Sequence, residues 1–204
     1  MTIYSLKPAF QALLRPCVNY MASIRITANQ VTLAACLFSI LYGAVLYWCS
    51  ETTLWLLLPV FLLLRMMLNA IDGMLAREHS MASTKGFVLN EIGDLISDAA
   101  LYLPFTLLPG INSVIIFTFI LLAWLSEIVA ILGQVITGQR LNHGPLGKSD
   151  RAFLMSVIAL WFGLFPLSLA SVSLIVFWVI NLLLVITIFN RFKKAVTPYE
   201  PSHY

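Results

Sequence analysis

Charge is what this sequence has least of. Asp, Glu, Lys and Arg make up 10% of its 204 residues, while 60% are hydrophobic. A water-soluble domain carries roughly 25% charged residues. So few charges cannot cover a surface that faces water, which excludes an ordinary soluble domain and leaves lipid as the solvent. The mean hydropathy of +0.92 agrees. Cysteine is scarce too. Cys17, Cys36 and Cys49 have no metal-ligand spacing and form no even framework for disulfides, so they read as small apolar side chains. The net charge of +3 is too small to make nucleic acid a partner. Residues 1–30 lack the early apolar run and small-residue cleavage site of a secretory signal. No internal repeat is visible, which weighs against the inverted-repeat transporters.

What is present is a series of long apolar runs. A spanning helix needs about 20 mostly apolar residues. Runs at 31–49, 54–76, 86–108, 113–136, 151–165 and 169–189 predict six spans. The expected fold is therefore an all-α integral membrane protein with a six-helix transmembrane domain over 31–190. Residues 1–30 form a cytoplasmic N-terminal segment. There Ile3, Leu6, Phe10, Leu13 and Leu14 recur at helical spacing and predict an amphipathic helix on the membrane surface. Residues 191–204 form a basic cytoplasmic tail, disordered from Pro198.

The basic residues fall on one side of this arrangement. Lys7, Arg15 and Arg25 precede the first span, and Arg77 and Lys85 lie between the second and third. Arg140, Lys148 and Arg151 lie between the fourth and fifth, and Arg191, Lys193 and Lys194 follow the sixth. The other three connections hold no Lys or Arg. By the positive-inside rule both termini are cytoplasmic.

Charges at membrane depth are costly and mark function by default. The second span carries Arg65, Asn69 and Asp72, and the third carries Asn90, Glu91, Asp94 and Asp98. Arg65, Asn69, Asp72 and Ala76 form one stripe on a helix; Gly86, Asn90, Asp94 and Asp98 form another. On consecutive antiparallel helices the stripes can face each other, with Asp72 and Asp94 at similar depth near the cytoplasmic face. Gly73, Gly86 and Gly93 would let helices or a ligand approach closely. Carboxylates and amides are hard oxygen ligands that suit Mg²⁺ or Mn²⁺, which in turn hold phosphates. Arg77, Lys85, Lys148 and Arg151 could take further phosphate oxygens. Residue chemistry alone therefore proposes a metal–diphosphate site.

At these residues the chain resembles the CDP-alcohol phosphotransferases, whose pattern is D-x2-D-G-x2-A-R-x7/8-G-x3-D-x3-D. Here the order is Asn69, Asp72, Gly73, Ala76 and Arg77, then Gly86, Asn90 and Asp94, at the family's spacings. The segment Thr27-Ala-Asn29-Gln-Val-Thr32-Leu33 also resembles the family's approach to its first span. The resemblance covers essentially the whole chain.

It implies a transferase of phospholipid synthesis. A phosphatidyl group would pass from a CDP-diacylglycerol-like donor to an acceptor alcohol, with release of CMP. Asp94 would be the general base. Asn69, Asp72, Asn90, Asp94 and Asp98 would be metal ligands for Mg²⁺ or Mn²⁺. Gly73, Ala76, Arg77 and Gly86 would bind the CDP donor; Lys85, Lys148 and Arg151 would contact phosphate or acceptor. The implied setting is a bacterial inner membrane, with membrane lipids around the chain and a homodimer left open.

Two departures bear on this. Asn69 and Asn90 stand where the pattern has its first and third aspartates. An amide oxygen can ligate a divalent ion but brings no charge, so two ions would have fewer anionic partners. Glu91 lies about 100° round the helix from Asn90 and helps only if the helix is distorted.

Several residues also have plainer readings. Arg65 reads as a buried partner of Glu127 or of a site carboxylate, because an unpaired charge at its depth is too costly. Glu127 reads as structural, and Asp98 is divided between ligand and interhelix hydrogen bond. His79, His143 and His203 read as solvated. Two other functions compete: a weak or inactive CDP-lipid-binding homologue, motivated by the asparagines, and an ion- or proton-coupled transporter. A transport path would need polar groups in the far halves of the helices, and those are almost wholly apolar.

The topology is directly testable. Reporter fusions after Glu51, Gly110 and Ser168 should report the far side of the membrane, and fusions at either terminus the cytoplasm. A cytoplasmic signal at Gly110 breaks the six-span arrangement.

Overall fold

The computed structural model describes residues 7–49 and 51–197, and only the backbone at residues 7 and 166–171. Ile3, Leu6 and the tail from Pro198, expected as amphipathic face and disordered end, lie outside the described residues. The described chain forms α1 (Lys7–Ser23), α2 (Ala28–Trp48), α3 (Thr52–Glu78), α4 (Thr84–Tyr102), α5 (Ser113–Thr137), α6 (Lys148–Leu164) and α7 (Pro166–Val196).

Local chemistry sets the helix ends. Gln30 N–H donates to Thr27 Oγ1 at 3.3 Å, and Thr27 N–H donates to Gln30 Oε1 at 2.8 Å. This capping box starts α2 three residues ahead of the expected span. Ser83 Oγ accepts from Gly86 N–H at 3.0 Å and starts α4. Pro104 has no N–H to donate, so the end of the expected third span tightens into a 3₁₀ turn over Leu103–Leu107. Gly138, at φ 74°, closes α5 in the left-handed conformation. α7 does not stop at the basic cluster. It runs on to Val196, so Arg191, Lys193 and Lys194 form its last turns rather than a separate tail.

Among the described residues four helical stretches are long and apolar enough to cross a membrane: Ala28–Trp48, Thr52–Glu78, Ser113–Thr137 and Val172–Val196. The six expected spans thus reduce to four by length and composition. α4 holds Lys85, Glu91, Asp94 and Asp98, and α6 has only 17 residues. Both nevertheless expose apolar side chains. Phe87, Val88, Ile92 and Ile96 do so on α4, and Phe153, Val157, Leu160 and Trp161 on α6.

The main helix contacts are α5 on α7, α2 on α4 and α3 on α6, with α2 also on α3. A large core joins Trp55, Tyr102, Phe105, Phe119, Phe162 and Phe177 to aliphatic neighbours. Trp55 meets Phe105 and Phe162 edge-on, at centroid distances of 5.0 and 5.4 Å. A smaller core packs Leu14 and Val18 of α1 on Ile71, Met74 and Leu75 of α3. Leu13, expected on the same apolar face, is exposed. Arg15 pairs with Glu78 at 3.1 Å in solvent, which contributes little.

The closest backbone approach of α2 and α4 is at Gly43, where an added Cβ would collide with the Ala100 carbonyl. At Gly93 an added Cβ would make ordinary contacts, 3.7 Å from Thr32 Cγ2 and 3.9 Å from Cys36 Cβ. Both substitutions gain helix propensity of up to about 1 kcal/mol. Only at Gly43 must the helices separate, at roughly 1–3 kcal/mol. Gly43→Ala should therefore lower the thermal unfolding midpoint in detergent while Gly93→Ala leaves it level or raises it. Equal midpoints would refute the tight α2–α4 contact.

Candidate active site

The polar stripes of α3 and α4 meet through long side chains. Asn69 Nδ2 donates to Asp94 Oδ1 at 2.8 Å. Arg65 Nη2 donates to the same oxygen at 3.3 Å and to the Asp94 carbonyl at 3.1 Å, and its Nη1 pairs with Asp98 Oδ1 at 2.6 Å. Lys148, in the first turn of α6, pairs with Asp94 Oδ2. Arg65 thus finds the site carboxylates and not Glu127. One turn beyond Asn69 along α3, Asp72 is 5% exposed and accepts from Thr32 Oγ1 of α2 at 2.8 Å.

Next to Asp94 lies a largely buried ionic layer. Glu127 of α5 receives Arg140 at 3.0 Å, Arg151 at 3.0 Å and Arg191 at 3.3 Å. Arg151 also reaches Asp98 Oδ2 at 3.5 Å, and Arg140 pairs with Glu91. Arg191 Nη1 donates to the Ser126 carbonyl at 2.7 Å, and its Nε to the His143 carbonyl at 3.3 Å. Removing one member of such a set leaves an uncompensated buried charge, a loss of several kcal/mol.

Two cavities meet at Asn69 and Asn90, and the second adjoins this layer. One, of about 300 Å³, is lined by Asn29, Thr32, Asp72, Gly73, Ala76, Arg77 and Gly86. The other, of about 610 Å³, is lined by Asp94, Glu127, Arg140, His143, Lys148 and Arg191. Asn69 and Asn90 line both. Glycine at 86 keeps the first cavity open, since a Cβ there would stand 2.6 Å from Asn29 Oδ1.

The structure therefore gathers most of the expected site residues and leaves out some. Gly73, Ala76, Arg77 and Gly86 share the first cavity with Asp72. Asp94 and Lys148 share the second. Three others line neither. Asp98 is held between Arg65 and Arg151, Arg151 is fully buried against Asp98 and Glu127, and Lys85 is exposed. Asp98 and Arg151 thus face each other and their other ion partners rather than either cavity. Glu91 turns to Arg140 and does not compensate for Asn90.

Sequence reasoning missed Asn29 and Thr32 as cavity residues and took Arg140 and Arg191 for topology charges. The available signal was charge balance. Glu91 and Glu127 at membrane depth need cationic partners, and Arg140 and Arg191 lie close enough in the chain's topology to supply them.

The donor set can be tested against a divalent ion. Among the described residues no group of three His, Cys, Asp or Glu converges. Glu91, Asp94, Asp98 and Glu127 each pair with Lys or Arg. Asp72 alone among these buried carboxylates has only a neutral partner, and it borders a cavity shared with two amides. A buried carboxylate without a counter-charge, next to Asn69 and Asn90, fits one hard cation.

Comparisons with known proteins agree with this geometry. The Escherichia coli (strain K12) inner membrane protein YnbA is 42% identical over 197 residues, 96% of this chain and 97% of that one. Two crystal structures of Mycobacterium tuberculosis phosphatidylinositol phosphate synthase (PgsA1) share the fold at 17% identity. One, in complex with manganese and citrate, has a TM-score of 0.70 and covers 93% of this chain and 91% of that one. The other, with CDP-DAG bound, has a TM-score of 0.67 and covers 93% and 96%. The family model for CDP-alcohol phosphatidyltransferase matches residues 25–189, which take in both stripes, the lining of the first cavity, and the second cavity and ionic layer except for Arg191. On that match the chain belongs to the CDP-alcohol phosphatidyltransferase family.

Proposed function

We propose that this chain moves a phosphatidyl, or other substituted-phosphate, group from a CDP-linked lipid such as CDP-diacylglycerol to an acceptor alcohol. The observation that carries the reading is the pair of adjoining cavities, with Asp72 on one, Asp94 on the other, and Asn69 and Asn90 on both. The first cavity suits the donor's diphosphate and cytidine: Arg77 supplies charge, and Gly73 and Gly86 leave room. The second suits the acceptor, with Asp94 at its border. The acceptor hydroxyl attacks the phosphorus bearing the lipid and gives its proton to Asp94. The bond from that phosphorus to the CMP oxygen breaks, and its electron pair leaves with CMP. Asn69 and Arg65 hold Asp94 in place through the hydrogen bonds they donate. A Mg²⁺ or Mn²⁺ ion, held by Asp72 with the amide oxygens of Asn69 and Asn90, would neutralise diphosphate charge.

The same reading takes six spans and cytoplasmic termini. Glu91, Asp94 and Asp98 of α4 and Lys148 and Arg151 of α6 turn into the ion pairs above, while the outer faces of both helices are apolar. A helix is judged by the face it presents to lipid, so both suit a membrane. The inner membrane origin of the YnbA relative supports a bacterial inner membrane location. Transport is disfavoured because the far half is filled by the aromatic core, with Phe105, Phe119 and Phe177 fully buried.

Purified protein given labelled CDP-diacylglycerol and a panel of acceptor alcohols should release CMP. Asp94→Asn should lower that release by roughly 10²–10⁴-fold while donor binding persists. Gly86→Leu should abolish donor binding. Wild type that releases no CMP with any acceptor would point to an inactive lipid-binding homologue. Turnover that survives Asp94→Asn would refute Asp94 as the base.

A metal requirement is checked separately, by donor binding. EDTA and Asp72→Ala should each weaken it. Binding indifferent to both would count against an ion beside Asp72.

A further inference from the structure

The family pattern has four aspartates, whose charge matches two divalent ions. This chain keeps two, Asp72 and Asp94, and the structure treats them differently. Asp94 already meets two cations, Lys148 on Oδ2 and Arg65 on Oδ1, and accepts a hydrogen bond from Asn69. Asp72 meets no Lys or Arg among the described residues, although it is nearly as buried as any carboxylate in the chain.

The identity of residue 69 follows from this. Its Nδ2 stands 2.8 Å from Asp94 Oδ1 and donates a proton there. A carboxylate at 69 has no proton to donate, so two anionic oxygens would face each other at that distance and require a bridging cation. The amide removes that requirement. Because the nitrogen is committed to Asp94, the amide oxygen is left for the cavity that Asn69 shares with Asp72.

We propose that the site takes one divalent cation, beside Asp72, and that the Lys148 ammonium stands in the place of a second on Asp94. The inference rests on the transferase reading and fixes its ion count. The diphosphate then meets one mobile dication and one covalently tethered monocation. The second cannot be removed by chelation.

The test counts bound Mn²⁺ by the loss of free-ion electron paramagnetic resonance signal, using the full chain in detergent and the metal alone as probe. Wild type should bind one ion per chain above the background set by Asp72→Asn. Asp94→Asn should retain that ion, since Asp94 is not its ligand. The double variant Asn69→Asp with Lys148→Met should bind two, because it restores one carboxylate and clears the tethered cation. Two ions in wild type, none in wild type, or loss of the ion in Asp94→Asn would each overturn the proposal. Wild type and Asp94→Asn decide it even where the double variant does not fold. CMP release is measured on the same samples. One bound ion without CMP release supports the ion count and sinks the transferase reading alone.

Discussion

Donors from two helices converge on the Asp94 carboxylate: Arg65 and Asn69 from α3, and Lys148 from α6. In a medium with little water, a carboxylate on α4 is tolerated only if its charge is matched and its lone pairs are filled. α3 and α4 pack mainly on other helices, so these polar side chains bridge the space between them. The gap they cross is where the two cavities lie. Arg65 continues the constraint to Asp98, Asp98 to Arg151, and Arg151 to Glu127, which gathers Arg140 and Arg191. A single chain of ion pairs thus runs from the site into α5, α6 and α7.

Much of this was legible before any coordinates. The apolar runs located the four helices long enough to span, α2, α3, α5 and α7, because a span's length is set by bilayer thickness. The four-residue spacing placed Asn69 with Asp72 and Asn90 with Asp94 on single faces, and the family spacing brought those faces together. Less legible were the helix ends, which depend on single side chains such as Thr27, Ser83 and Asp150. Arg191 was read as the start of a tail because a basic cluster after an apolar run marks a membrane boundary. In the fold it is 2% exposed and faces Glu127, a pairing between residues 64 positions apart that no local pattern carries. The pairing of Asp98 with Arg65 and Arg151 was not legible for the same reason. Stripe position says which face a charge is on, but not whether another helix has already neutralised it.

Charge pairing also explains where the site stops. Next to Asp94 the arginines and carboxylates of the ionic layer satisfy one another, and beyond them the bundle is closed by Trp55, Tyr102, Phe105, Phe119 and Phe177. Glu127, Arg140 and Arg191 border the second cavity, but their charges are largely matched by one another, so the layer forms a floor and not a path. Above it, Asp72 keeps a charge that no side chain matches and Arg77 borders the same cavity. A phosphate-bearing lipid has its acyl chains in the apolar phase and its head group at the interface. It can bring its diphosphate only as deep as that floor allows. The balance of charge within the bundle therefore sets the depth of the chemistry, and Asp72, the one buried carboxylate among the described residues left without a cation, marks the side on which an added ion lowers the energy.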